Sequence, residues 1–184
     1  IYGLGAIKGL GEGPVESIIA ARSEAGPFKD LFDFCARVDG RKVNKRALEA
    51  LIRSGALDGI GPDADMGYGR AVMLAAMDEA VKLAEQHARN TSSGMGDLFG
   101  DSVVESASDI NYNSYNGARA LSVRERLNGE KDTLGLYLTG HPIDEYEDEL
   151  RSMIANRIVD LRPSKENVSI SGMVVGMRVM KNKR

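Results

Sequence analysis

The sequence predicts a mainly α fold: a tandem helix-hairpin-helix unit, a helical connector, and the opening strand of a truncated β domain. Three observations predict it. Ala, Leu, Glu, Lys and Arg dominate long stretches, which is a helical composition. Glycines such as Gly9, Gly11 and Gly55 punctuate those stretches where helices have to turn. Period-two alternation of apolar residues occurs once, near the C-terminal end. Aromatics make up only 5% of the residues and Trp is absent, which favours small helical units over a thick sandwich. The 42% of hydrophobic residues suffices for a core.

The elements follow in order. Pro14 to about Arg22 reads as a helix, since Pro suits the first turn and Val15, Ile18 and Ile19 give one apolar face. Gly26-Pro27 ends it, and Phe28 to about Arg37 forms a second helix with Leu31, Phe32 and Cys35 inward. Asn44 caps a third, in which Leu48, Leu51 and Ile52 repeat at i, i+3, i+4 and Gly55 supplies the stop. Residues 59–69 read as a polar glycine-rich loop. A long helix follows from about Arg70 to Arg89, with Met73, Leu74, Met77, Val81 and Ala84 as its stripe and Asp78–Lys82 at helical spacing. From Asn90 the chain turns to Ser, Gly, Asn and Asp, a linker composition with one apolar island at Met95 to Phe99. Helical texture returns from about Val123 to Leu138, breaks at Gly140-His141-Pro142 and resumes through Met153. Val168, Ile170, Gly172, Val174 and Gly176 then alternate as a strand. The expected division is 1–60 for the hairpin unit, 61–90 for the long helix, 91–122 for a flexible linker, 123–160 for the connector and 161–184 for the start of the β domain. Ile1 in place of a start Met, and a stop just after an unpartnered strand, read as a piece of a longer chain.

A net charge of −3 argues mildly against nucleic acid, but distribution matters more than the sum, because charges beyond about 10 Å act almost independently. Arg41, Lys42, Lys45, Arg46 and Arg53 crowd a short segment whose one acid is Glu49, and Arg178, Lys181, Lys183 and Arg184 form a second basic cluster. Acid gathers instead at Asp144, Glu145, Glu147, Asp148 and Glu149. The single cysteine, Cys35, forms no internal disulfide and fits a reducing compartment. No apolar run approaches the roughly 20 residues that span a bilayer, and no signal peptide is visible, so a cytoplasmic protein without a membrane partner is expected.

The strongest chemical signal is Leu4 to Pro14. Gly9-Leu10-Gly11 makes a tight hairpin in which Leu10 anchors the turn and the glycines let the backbone approach a ligand. Its amides, with those of Lys8 and Gly13, point outward at a helix N-terminus, a geometry suited to a phosphate oxygen. Such a helix-hairpin-helix grips duplex backbone without reading sequence. Glu12 counts against it, and the plain alternative is an ordinary glycine turn. Lys42 to Gly55 reads as a degenerate second hairpin, with Arg41, Lys42, Lys45, Arg46, Arg53, Ser54 and Gly55 as backbone contacts; the alternative is a solvated helix face. In Met95-Gly96-Asp97-Leu98-Phe99, two adjacent apolar side chains in a polar linker suit a surface pocket on a partner.

Other patterns carry no chemistry. Asp63-Ala64-Asp65 has metal-carboxylate spacing but sits in a Gly/Pro loop without a third carboxylate. The acids at 144–149 point around a helix axis. Gly3-Leu4-Gly5 lacks the third glycine of a dinucleotide loop. His87, His141 and one Cys build no zinc site. No catalytic residue and no cofactor are expected in this segment.

Together these residues resemble the C-family of bacterial replicative polymerases, the DNA polymerase III alpha subunits. The likeness runs from Tyr2 to Gly13, through Leu31-Phe32-Asp33-Phe34-Cys35-Ala36-Arg37, Leu51 to Asp58 and Asp97-Leu98-Phe99-Gly100, and is most specific at Thr133-Leu134-Gly135-Leu136-Tyr137-Leu138-Thr139-Gly140-His141-Pro142. The resemblance implies that residues 1–60 close the fingers and carry the tandem hairpins behind the active site. It also implies that Met95, Asp97, Leu98 and Phe99 are a sliding-clamp peptide, with Met95 where the family usually has Gln, and that Ser171-Gly172-Met173-Val174-Val175 opens an OB barrel. Template-directed DNA synthesis with Mg2+ and contacts to other replicase subunits are implied for the parent chain, whose metal carboxylates lie outside this segment. The competing expectation is a helical protein-interaction module without DNA contact.

Overall fold

The computed structural model describes residues 3–92, 112–154, 156, 158–174 and 176–181. Local capping explains where its helices begin. Helix α1 (Glu12–Ala25) follows the glycine hairpin and stops at Gly26. Helix α2 (Leu31–Arg37) is capped by Asp30, whose Oδ1 accepts from the Asp33 amide at 2.7 Å. Asn44 caps α3 (Lys45–Arg53) as expected, accepting from the Ala47 amide at 3.0 Å. The long helix α4 (Met66–Ser92) starts four residues earlier than the apolar pattern suggests. Asp65 is the reason: its Oδ1 accepts from the amides of Gly67 and Tyr68 at 2.9 and 3.2 Å, so one of the paired carboxylates is a helix cap. A capping box of Ser122 and Glu125 opens α5 (Val123–Leu134), and Gly135 closes it.

The chain divides into two compact units, Ile1–Leu138 and Thr139–Arg184. In the first, α4 lies along α2 and α3, and Met73, Ala76, Met77 and Ala80 share a core with Leu31, Phe34, Cys35, Leu48, Leu51 and Ile52. Each buried Leu or Ile there contributes about 1.5–3 kcal/mol. Burial, and then the charge of Asp30, push the Cys35 thiol up to about 12, so it stays a neutral core side chain. Arg37 straps α2 to the end of α1: Nη2 donates to the carbonyls of Ala21 and Gly26 at 2.7 Å each, and the guanidinium lies over the Phe28 ring.

Several expectations need correction. On α1 the inward residues are Ile18 and Ala21, spaced i, i+3, while Ile19 is 46% exposed. On α2, Phe34 is buried and Phe32 only half so. Asp78 pairs across the bundle with Lys45 at 2.5 Å. Residues 112–122 are docked, because two tyrosines hold them down. Tyr112 Oη accepts from the Leu31 amide and donates to the Ile60 carbonyl, each at 2.8 Å, while Tyr115 donates to Glu79. The Leu121 amide then donates to the Gly67 carbonyl at 3.1 Å, an approach close enough that only glycine fits at 67.

The second unit contains α6 (Glu147–Met153) and short turns at Asp144–Tyr146 and Ile158–Asp160. Its acids are solvated, Asp144 capping the turn by accepting from the His141 amide at 2.7 Å and Glu147 pairing with Arg151. The expected OB strand is absent among the described residues of 161–181: Ile170 is 54% and Val174 82% exposed. Alternation marks a strand only where a neighbouring strand accepts its hydrogen bonds, and none is present there. No helix among the described residues is long and apolar enough to cross a membrane.

Replacing Tyr112 with Phe leaves a backbone donor and an acceptor unsatisfied. Tyr112→Phe is expected to lower unfolding free energy by about 1–3 kcal/mol, read as a lower urea midpoint at unchanged slope.

Candidate nucleic-acid interface

The hairpin begins with a 3-10 turn at Leu4–Ala6. Ile7 and Leu10 then plunge into the core at 4% and 6% exposure, pinning both sides of Gly9. Gly9 has φ 83°, a left-handed backbone that an L side chain resists, although a Cβ there would meet nothing within 4 Å. Two amides are spent internally: Leu10 donates to the Ile7 carbonyl at 3.1 Å, and Lys8 to the Thr133 carbonyl of α5 at 2.8 Å. The amides of Gly9, Gly11, Glu12 and Gly13 donate to no acceptor among the described residues. Four such donors around the N-terminus of α1 have the chemistry that suits an anion. Lys8 therefore offers only its exposed side chain, and Leu10 holds the turn from beneath.

The basic segment adjoins this hairpin. The Asp39 amide donates to Ser17 Oγ at 2.9 Å, fixing the turn between α2 and α3 against α1. Ser17 lies six residues beyond Gly11, about 9 Å along the helix axis. On that turn Arg41 and Lys42 are exposed above buried Val43. Lys45 and Arg46 follow in the first turn of α3, which contains no acid. Cations at a helix N-terminus oppose the macrodipole by about 0.3–1 kcal/mol each, an arrangement that favours an anion between them. Arg41, Lys42 and Arg46 make no ion pair among the described residues, whereas Lys45 is held by Asp78 and Arg53 by Glu49 at 2.8 Å.

Ser54 is buried and Gly55 half-buried, and both have their donors spent internally. Ser54 is 3% exposed and its hydroxyl donates to the Leu51 carbonyl at 2.9 Å. Gly55, with φ 81°, donates its amide to the Ile52 carbonyl, and a Cβ on it would collide with Arg70 Nη2.

Arg70 was invisible to sequence reasoning, which reads an arginine at a helix start as solvated. It is 1% exposed. Nε and Nη2 fork onto Asp58 at 2.8 and 2.7 Å, and Nη1 donates to Glu130 Oε1 at 3.0 Å and the Arg53 carbonyl at 3.3 Å. Burial works against the charge, but hydrogen bonding and attraction, first from Asp58 and then from Glu130, outweigh it and hold the Arg70 pKa above its ordinary value. Met95, Asp97, Leu98 and Phe99 lie outside the described residues.

Comparison with known proteins agrees with this geometry. A helix-hairpin-helix motif family matches residues 1–65. The DNA polymerase III subunit alpha of Pseudomonas fluorescens is 58% identical over 193 aligned positions, covering 100% of this chain and 16% of the relative. The proteins of the same name from Pseudomonas aeruginosa and Escherichia coli (strain K12) are 54% and 43% identical, again over 100% of this chain and over 16% and 15% of their own lengths. The chain thus spans about a sixth of the length of the relatives it matches.

The two left-handed glycines separate experimentally. Gly55→Ala forces a buried guanidinium aside and is expected to cost at least about 2 kcal/mol in a urea titration. Gly9→Ala strains only its own backbone and is expected to cost about 1 kcal/mol.

Proposed function

We propose that the chain is the duplex-gripping and clamp-tethering segment of a bacterial DNA polymerase III alpha subunit, the protein it resembles over its whole length. The observation that carries this reading is the four amides at Gly9, Gly11, Glu12 and Gly13, and the cations Arg41, Lys42 and Arg46 beside them, none of which has an acceptor or carboxylate partner among the described residues. The amides suit one phosphate of a strand. The cations suit neighbouring phosphates and contribute through counterion release, which is independent of base sequence. Glu12, exposed at the same helix start, keeps that grip weak enough for sliding.

The tether in this reading is Met95-Gly96-Asp97-Leu98-Phe99, with Leu98 and Phe99 filling a pocket on a sliding clamp and Met95 giving up the polar contact a Gln makes. Nucleotidyl transfer with Mg2+ belongs to carboxylates elsewhere in the parent polymerase, in the cytoplasm and among its other replicase subunits. The alternating residues from Val168 join an OB-type sheet once partner strands are supplied.

A labelled duplex of random sequence, titrated at two salt concentrations, tests the grip. Arg41→Glu with Arg46→Glu is expected to weaken binding at least about tenfold and to make the salt slope shallower by about one per lost phosphate contact. No binding by the unsubstituted chain at low salt favours a helical protein-interaction module, for which the acidic pI of about 5.5 is the best argument. Leu98→Ala with Phe99→Ala is expected to abolish capture on an immobilised clamp while leaving duplex affinity unchanged; capture that survives both changes removes the tether.

A further inference from the structure

We infer that Glu130, acting through Arg70, is the positioning residue that fixes the two hairpins against each other, with α5 as a splint between them. This inference rests on the duplex-gripping reading above.

The splint can be followed atom by atom. At the first hairpin, the Lys8 amide donates to the Thr133 carbonyl at 2.8 Å, immediately before the left-handed Gly9. Three residues back along α5, Glu130 is 0% exposed and takes Arg70 Nη1 on Oε1 at 3.0 Å. That same nitrogen donates to the Arg53 carbonyl, while Arg70 Nη2 fills the space a Cβ of Gly55 would need. The turn at the end of α3 is therefore set from beneath by the guanidinium. Gly129 lets α5 lie directly on Arg53, 3.4 Å from its Cβ to the ideal Cβ position. The other Glu130 oxygen accepts from the Leu138 amide at 2.7 Å, which closes the chain back over the end of α5.

Glu130 has no route to a phosphate, being 0% exposed. Its effect on DNA is geometric. Amides on one hairpin and cations beside the other contact one duplex together only while their separation matches the phosphates. Loosening the splint leaves each half competent and weakens a coupling that the Asp39–Ser17 bond also supports.

The experiment compares three variants of the full 184-residue chain. Glu130→Gln keeps the shape and removes the countercharge; Glu130→Asp keeps the charge and withdraws it by one methylene. Leu127→Ala truncates a fully buried α5 side chain outside the ion network and serves as the purely structural lesion. Duplex affinity is measured across salt at a temperature where circular dichroism shows each protein folded. The inference expects either Glu130 variant to bind at least about fivefold more weakly with a salt slope shallower by about one, and Leu127→Ala to keep the parental slope. Folded Glu130 variants with the parental slope overturn it, as does an equal loss of slope in Leu127→Ala. A parent chain that ignores duplex at low salt overturns the grip reading itself, a result distinct from both.

Discussion

One buried guanidinium organises the first unit. Arg70 carries a full charge into a site with 1% exposure, where an unpaired ion would cost several kcal/mol, so everything around it has to supply acceptors. Asp58 takes two of its donors side by side, Glu130 a third, and the Arg53 carbonyl shares that third donor. Four stretches of the chain are committed by that demand: the end of α3, the turn at Asp58–Ile60, the start of α4 and the middle of α5. A hydrophobic replacement for the whole cluster would be tolerated energetically, whereas removing one partner strands a charge and costs about 3–5 kcal/mol. The cluster thus contributes less as net stability than as a unique arrangement of these four stretches.

That dependence explains what the sequence could and could not disclose. Signals closed within a few residues were legible: the Asn44 cap, the i, i+3, i+4 run of Leu48, Leu51 and Ile52, and the glycine hairpin with Leu10 as its anchor. Each of these is decided by the local backbone. Arg70 was illegible because its partners stand 12 and 60 positions away, and nothing in its immediate neighbours distinguishes a buried arginine from a solvated one. Ser54, expected at a backbone contact, is 3% exposed, and nothing in its immediate sequence marks that burial. Tyr112 and Tyr115 sat in a polar stretch whose composition outweighed two aromatics. The alternation from Val168 obeyed the local rule for a strand, but a ladder needs a second strand, and periodicity carries no information about one.

The electrostatics follow a similar logic. An acidic chain keeps a basic edge by deciding which cations are neutralised at home. Lys45 and Arg53 are held by Asp78 and Glu49, pairs exposed enough to be worth about 0–1 kcal/mol and easily exchanged for phosphate. Arg41, Lys42 and Arg46 have no such carboxylate among the described residues. The acids of the second unit sit in a separate part of the sequence, at residues 144–149.

Covalent geometry alone sets how the proposed grip and tether work together. Leu98 and Phe99 follow Ser92, the end of α4, by six and seven residues, so neither can lie more than about 25 Å from it in any conformation. Both α4 and Tyr112, on the far side of the segment, are fastened to the unit that carries the hairpins. On the proposed function, a clamp docked on Leu98-Phe99 is confined within that reach of the end of α4, and short linkers of this kind raise effective concentration to about the millimolar range. Under that confinement neither contact needs to be tight. On that reading, a hairpin weakened by Glu12 and a clamp peptide weakened by Met95 would each release quickly alone, yet a chain held by both would leave DNA only when both let go.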